Sequence, residues 1–267
     1  MKRLPVVVFV IFLFFTSVGL TYATADQARQ DYLFQFDSYR AKYTDFQVAK
    51  NEYAKFNTLT AQATALEKTK LMLAQRDLLL RAYLFLLNEK LNEDAGLNAA
   101  TKQLYKTLIS SEVTFLEGHA QLIPAIGSLE DAVHVSRELE SHYRVLQVSI
   151  RQILIGLSLG QLSILSTLYD TTLRDAQALV VRYGNVFTNQ KQETVNRWLL
   201  QITNKRTLYQ QKLQEIMSAN AQLQTTNLQE LDRQYAEVTK NIGEARQYLL
   251  EGASFLTELT NALKYID

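Results

Sequence analysis

Five consecutive residues, Gly156-Leu157-Ser158-Leu159-Gly160, match G-x-S-x-G, the nucleophile-elbow pattern of serine hydrolases. That chemistry needs the serine at a sharp strand-to-helix turn, with its hydroxyl exposed and backbone N–H groups placed to hold an oxyanion. Here the five residues lie inside an unbroken apolar heptad, and the chain shows no alternation of strand and helix patterns. The same glycines form a G-x-x-x-G pair, which in an apolar helix lets a second helix backbone come close. Close helix packing is therefore the expectation at Gly156 and Gly160.

Glu130, His134, Glu138 and His142 step by four along one drifting helix face. Carboxylate and imidazole both ligate zinc, and two or three of these would suffice if another helix supplied the rest. No H-E-x-x-H spacing accompanies them, so an exposed row of i,i+4 pairs is the preferred reading. His119, beside Gly118 near an expected helix end, reads as a capping or surface residue, because one histidine without a partner makes no site. The chain has no Walker loop, no dinucleotide fingerprint and no cysteine. We therefore expect no catalytic, cofactor-binding or metal-ligating residues and no cofactor.

The element that carries most of these residues is one long apolar helix, expected from about Leu129 to Tyr183 and most hydrophobic between Val145 and Leu173. Leu139, Tyr143, Leu146, Ile150, Ile153, Leu157, Gly160 and Ile164 step by four and three, the spacing that keeps one seam facing a partner. Gln152, Gly156, Ser163, Thr167 and Asp170 make one narrow polar strip. A helix apolar over most of its circumference has to be covered on most sides, which makes this one the mast of a bundle. At 1.5 Å per residue it would be roughly 80 Å long.

Before the mast, Tyr32, Tyr39, Phe46 and Tyr53 recur every seven residues, a packing face in the bland reading and a carbohydrate- or peptide-stacking face in the sharp one. Leu59, Leu66, Leu73, Leu80 and Leu87 follow as five heptads. The seam slips by one position near Asn57 and Thr58, where a hairpin and a single kinked helix both fit. A shorter helix from about Asn98 puts Leu104, Leu108, Phe115 and Leu122 inward, and Gly118 with Pro124-Ala125-Ile126-Gly127 ends it. Ser128 and Asp131 open the mast with a capping-box variant. Gly184-Asn185 ends it, and Asn189 with Gln192 starts the last segment, 188–265, one helix or two. Its seam opens with Val195, Trp198 and Ile202 and continues to Leu256 and Leu263.

Lys2 and Arg3, the apolar run Val6 to Phe15 and Ala23-Thr24-Ala25 have the form of a signal peptide over 1–25, with an uncleaved anchor as the alternative. Without Lys2 and Arg3, 26 basic face 27 acidic side chains, a balance that offers nucleic acid no electrostatic footprint. The expected fold is all-α: an elongated bundle, or antiparallel coiled-coil array, of five to six long helices forming a single domain over 26–267, with a candidate sub-boundary near 124–128. The expected function is an exported, extracytoplasmic, non-catalytic scaffold or interaction module of the envelope or extracellular space. Its partner would be a protein, or a second copy through the heptad seams. The alternative is a membrane-active, pore-forming-like protein using the uncharged span 152–169, close to the length that crosses a bilayer.

Overall fold

The computed structural model describes residues 24–223 and 227–264, and these form six long helices with consecutive ones antiparallel. The leader expected over 1–25 lies almost wholly outside the described residues. The helices are α1 (Ala25–Phe56), α2 (Leu59–Glu93), α3 (Ala99–Leu122), α4 (Leu129–Tyr183), α5 (Asn189–Ala221) and α6 (Leu228–Lys264). No strand occurs among the described residues.

The helix ends follow from their capping chemistry. Asn57 takes the left-handed conformation at φ 49°, and the Thr58 hydroxyl accepts the Ala61 N–H at 3.2 Å. One residue that tolerates αL followed by a good N-cap makes a tight hairpin, so α1 and α2 are separate helices. Asn98 caps α3 by accepting the Thr101 N–H at 2.8 Å. Ser128 accepts from Asp131 N–H at 3.1 Å while the Asp131 carboxylate accepts from Ser128 N–H at 2.9 Å, completing the expected box. Hydrogen bonds from Ser128 and from the Gly127 amide hold the Asp131 carboxyl below its usual range. At α5 the cap is Thr188, one residue earlier than the Asn189 start suggested. Helix α5 ends before α6 begins, so 188–265 holds two helices.

Helix α4 is the spine. Its 55 residues carry two cores that meet near its middle. Leu139, Leu146 and Ile153 pack with Leu84, Leu87 and Leu91 of α2 and Ile109 and Leu116 of α3. Ile155, Leu162, Tyr169 and Ala176 pack with Ile202, Tyr209 and Ile216 of α5 and Leu231, Val238 and Leu256 of α6. Each set steps by seven, yet Ile153 and Ile155 are two residues apart, about 200° around a helix of 3.6 residues per turn. The two bundles therefore grip α4 from opposite sides, and α1 lies outermost on α2.

Four expectations fail here. The mast is not covered on most sides: Tyr143 and Ile164, both placed in the seam, are exposed. A single seam cannot serve partners on opposite faces. In α3 the buried face is Tyr105, Ile109, Glu112, Leu116 and His119, whereas Leu104 and Leu122 are exposed. Helix α3 also runs straight through Gly118 to Leu122, a single internal glycine being tolerated at a cost of about 1 kcal/mol. In α2, Leu73 and Leu87 are buried as expected, but Leu59, at the hairpin, is 85% exposed.

Candidate functional site

Of the chemistry-bearing residues, Ser158 sits in the middle of α4, half-buried, and its hydroxyl donates to the Leu154 carbonyl at 3.0 Å. A serine back-bonded within a straight helix has neither the turn nor the free N–H groups of an elbow. Its flanking glycines admit close neighbours, although not the helix backbone expected. A Cβ at Gly156 would overlap the Tyr105 ring of α3, and one at Gly160 would overlap the Asp94 carboxylate. A Cβ at Gly96 would overlap the Gly160 carbonyl, so the α2–α3 loop lies backbone to backbone on α4. Asp94 shapes that loop by accepting the Gly96 and Leu97 N–H groups, each at 2.8 Å. Beside it, Asn220 at the end of α5 donates to the Tyr105 hydroxyl at 3.1 Å, and Gln152 donates to the Asn220 carbonyl at 3.3 Å. This waist is where the two bundles touch.

The row Glu130, His134, Glu138 and His142 splits. Glu130, His134 and Glu138 are exposed, while His142 turns inward to Glu112 of α3, Nε2 to Oε2 2.7 Å. The other Glu112 oxygen accepts the Ser149 hydroxyl at 2.8 Å. Phe115 stacks on the His142 ring with centroids 3.6 Å apart and lies 6.2 Å from the His119 ring.

His119 is the largest departure from expectation. It is no cap: its side chain is 1% exposed, as is that of Asp77, and Nδ1 to Oδ2 measures 2.6 Å. Nε2 lies 2.9 Å from the Val135 carbonyl of α4. A carbonyl only accepts, so Nε2 carries a proton, and the carboxylate then favours a second one on Nδ1. Burial works against the imidazolium most strongly, but the Asp77 and Val135 hydrogen bonds and the Asp77 charge outweigh it, and the ring's pKa is raised. Arg76 sits alongside, its pKa lowered by burial, with Nε and Nη2 making no hydrogen bond within the protein; Asp77 Oδ1 is in the same position. Tyr105, Glu112 and His119 recur every seven residues. They share one face of α3 with Ile109 and Leu116, and it is these two apolar positions, at a spacing of seven, that could have marked it as buried.

The two pairs differ in access: His119 and Asp77 are both sealed, whereas His142 keeps 24% of its side chain exposed above a buried Glu112; between them they link α2, α3 and α4. Among the described residues no three His, Asp or Glu side chains converge as a metal would need. The polar strip of α4 disperses in the same way: Gln152 joins the waist, Asp170 receives the Arg206 guanidinium through Nε at 2.7 Å and Nη2 at 2.6 Å, and Ser163 and Thr167 face outward.

Among the accessible surfaces is one side of α4 beyond Gly160. Ile164, Leu168 and Leu179 are exposed there, Leu168 at 63%. The neighbouring hydroxyls are satisfied within the helix: Thr167 donates to Ser163, Thr171 to Thr167 and Thr172 to Leu168 carbonyls, at 2.9 to 3.0 Å. A groove of about 400 Å³ runs between this face and α6, lined by Leu165, Leu168, Thr172, Leu250, Ala253 and Thr257. A second cleft, about 420 Å³, opens at the far end of α4 among Phe46, Tyr53, Met72, Leu73, Leu129 and Val133. Comparison with protein-family models, with curated proteins and with solved structures finds no match.

Proposed function

We propose that the chain is an exported, non-catalytic helical scaffold or protein-interaction module of the cell envelope or extracellular space. The observation that carries this reading is the face of α4 beyond Gly160, where aliphatic side chains and self-bonded hydroxyls meet solvent without a charge until Arg174 and Asp175. Large aliphatic side chains grouped on one side of a helix mark an interaction surface. The His119–Asp77 pair supports the same reading, since its burial withholds it from substrate. Export rests on the form of the leader sequence. Affinity capture from native envelope with the wild-type chain and Leu168→Asp tests it: a partner retained by the first and lost from the second is the expected result. Equal capture by both, or a hydrolase activity abolished by Ser158→Ala, would count against it.

The second reading is a membrane-active protein using 152–169. It is favoured by one observation: α4 is long and apolar enough to cross a bilayer, while only 39% of its most apolar window is buried. Dye release from liposomes that persists for the wild type and disappears in Leu168→Asp would replace the first reading with this one.

A further inference from the structure

We propose that the cleft at the N-terminal end of α4 binds a fatty acid, a single aliphatic chain that ends in one carboxylate. This site is separate from the exposed face beyond Gly160 and does not depend on what that face meets. Three helices wall the cleft: α1 from Phe46 to Ala54, α2 from Ala65 to Leu73 and α4 from Leu129 to Ser136. The helical rise over these stretches makes a trough about 12 Å long. Its volume, about 420 Å³, is that of a small-molecule site. The space exists because the α4 seam opens small: Leu139, Leu146 and Ile153 recur every seven residues, and Ala132 holds the position one step earlier. With Ala54 on α1 and Ala65 on α2, it puts only a methyl group on each wall where a larger side chain would close the gap. The aromatic seam of α1 starts as packing, with Tyr32 and Tyr83 ring centroids 5.2 Å apart, but its last two rings, Phe46 and Tyr53, flank this opening. The buried side chains of Met72 and Leu73 form the floor.

The polar groups in the lining decide what kind of molecule fits. The Thr69 hydroxyl donates to the Ala65 carbonyl at 2.7 Å and the Ser136 hydroxyl to the Glu140 carboxylate at 3.0 Å, so both are engaged within the protein. That leaves the Lys50 ammonium and the Tyr53 hydroxyl, three residues apart on one side of α1. Lys50 is the one charged side chain that lines the cleft. Nearby, Lys68 is paired with Asp45 at 3.6 Å and Lys70 donates to the Pro124 and Ile126 carbonyls, each at 3.0 Å. Among the described residues no carboxylate pairs with Lys50, whose ammonium lies 5.9 Å from the centre of the Phe46 ring. An apolar trough with a cation at its edge complements a molecule that is apolar along its length and anionic at one end. The other openings lack that combination. The groove between α4 and α6 has no charged side chain in its lining, and the cleft between α4 and α5 has only Arg206, which Asp170 already holds. The groove over α1, α2 and α3 sets Asp31 against Arg81 and Lys106. With its carboxylate on Lys50 and Tyr53, the chain would lie along Met72, Ala132 and Val133 and cover apolar surface that otherwise meets water, Val133 being 47% exposed.

The experiment is isothermal titration calorimetry of the purified chain with decanoate, alongside decanol and acetate, which carry the chain without the charge and the charge without the chain. The expected result is saturable binding of one decanoate, with decanol at least about tenfold weaker and acetate not bound. Lys50→Gln should weaken decanoate about tenfold, the scale of a lost hydrogen bond to a charged group, and leave decanol as it was. Ala54→Phe, at an exposed position on the rim, should abolish binding while the helical circular dichroism and melting temperature stay those of the wild type. Leu168→Asp, in the C-terminal half of α4, should leave binding unchanged, which separates the cleft from adsorption on the exposed face. The absence of saturable heat with decanoate overturns the inference. So does binding that survives Ala54→Phe, binding lost in Leu168→Asp, or decanol held as tightly as decanoate. The last comparison is made on the wild-type chain, so it decides the matter even where a variant fails to fold.

Discussion

The two halves of α4 have nearly the same apolar content on their covered sides but differ in what their cores enclose and in where charge meets water on their free sides. Leu139, Leu146 and Ile153 are as buried as Ile155, Leu162 and Tyr169. Away from these cores, the N-terminal half shows water Glu130, His134, Glu138 and Arg144 with Val133, Tyr143 and Val145 among them, and the C-terminal half shows it Ile164, Leu168 and hydroxyls before Arg174, Asp175 and Arg182. The N-terminal half also sets charged and polar groups inside its core, at Asp77, Glu112 and His119, where the C-terminal half relies on aliphatic and tyrosine packing. Buried ionic pairs are weak sources of stability but penalise any slip of register, since a shifted helix would leave each charge alone. One half is thus specified from within, and the other leaves an apolar side available.

Asp77 is where the contrast between the halves breaks most severely. Asp77→Ala would strand His119 and Arg76 beside an apolar gap, and a loss of about 3 to 5 kcal/mol in urea unfolding is expected, the range for a buried pair deprived of one partner. Leu146→Ala comes next, at about 2 to 5 kcal/mol by the same measurement, because the side chain is fully enclosed between α2, α3 and α4. Gly160→Ala should cost about 1 to 3 kcal/mol, since the added methyl meets the Asp94 carboxylate and forces the loop to shift. A melting temperature unchanged in Gly160→Ala would show that the loop does not rest on α4.

A smaller effect is expected from pH. The folded state holds the His119 proton more tightly than the unfolded chain, whose histidines titrate near about 6.5. The stabilisation from this group is therefore complete below that value and is lost as pH rises through the folded pKa. Urea midpoints across this window should fall with rising pH in the wild type, and the slope should flatten in His119→Gln. The smallest effect belongs to the free side: Leu168→Ala, measured on the monomer, should change stability by less than about 0.5 kcal/mol. A loss comparable to that of Leu146→Ala would show that Leu168 is covered and would erase the contrast between the halves.

How far the sequence could be read differs between the same regions. In α5 and α6 every seam position from Val195 to Leu263 is buried or half-buried, because apart from Asn220 at the end of α5 those seams are made of what hydrophobic periodicity detects. The caps at Asn57–Thr58 and at Ser128 with Asp131 were equally legible, being local chemistry. In α3 the reading landed one position off, on Leu104 and Leu108 rather than Tyr105 and Ile109. The true face carries Glu112 and His119, and a pattern that counts polar residues as outward cannot choose it. Their partners, Asp77 and His142, lie 42 and 30 residues away and are visible only once the helices are stacked. The drift of α4 from one seam to the opposite one was hidden for a related reason: both seams are apolar, and their superposition resembles a helix covered all round.

The waist formed by Tyr105, Gly156 and Asn220 has a consequence for how the chain acquires its structure. Away from that junction, most of the packing joins helices that follow one another along the chain, α1 on α2, α2 on α3, α3 on α4, α5 on α6. Contacts of short sequence separation close small loops and form fast. Residues before and after the middle of α4 can therefore condense as two independent nuclei, each completing one end of the same helix, before the hydroxyl of Tyr105 finds Asn220, 115 positions along the chain. Native-state hydrogen exchange would then resolve two cooperative units rather than one, with the amides flanking Gly156 reporting the moment at which they become a single molecule.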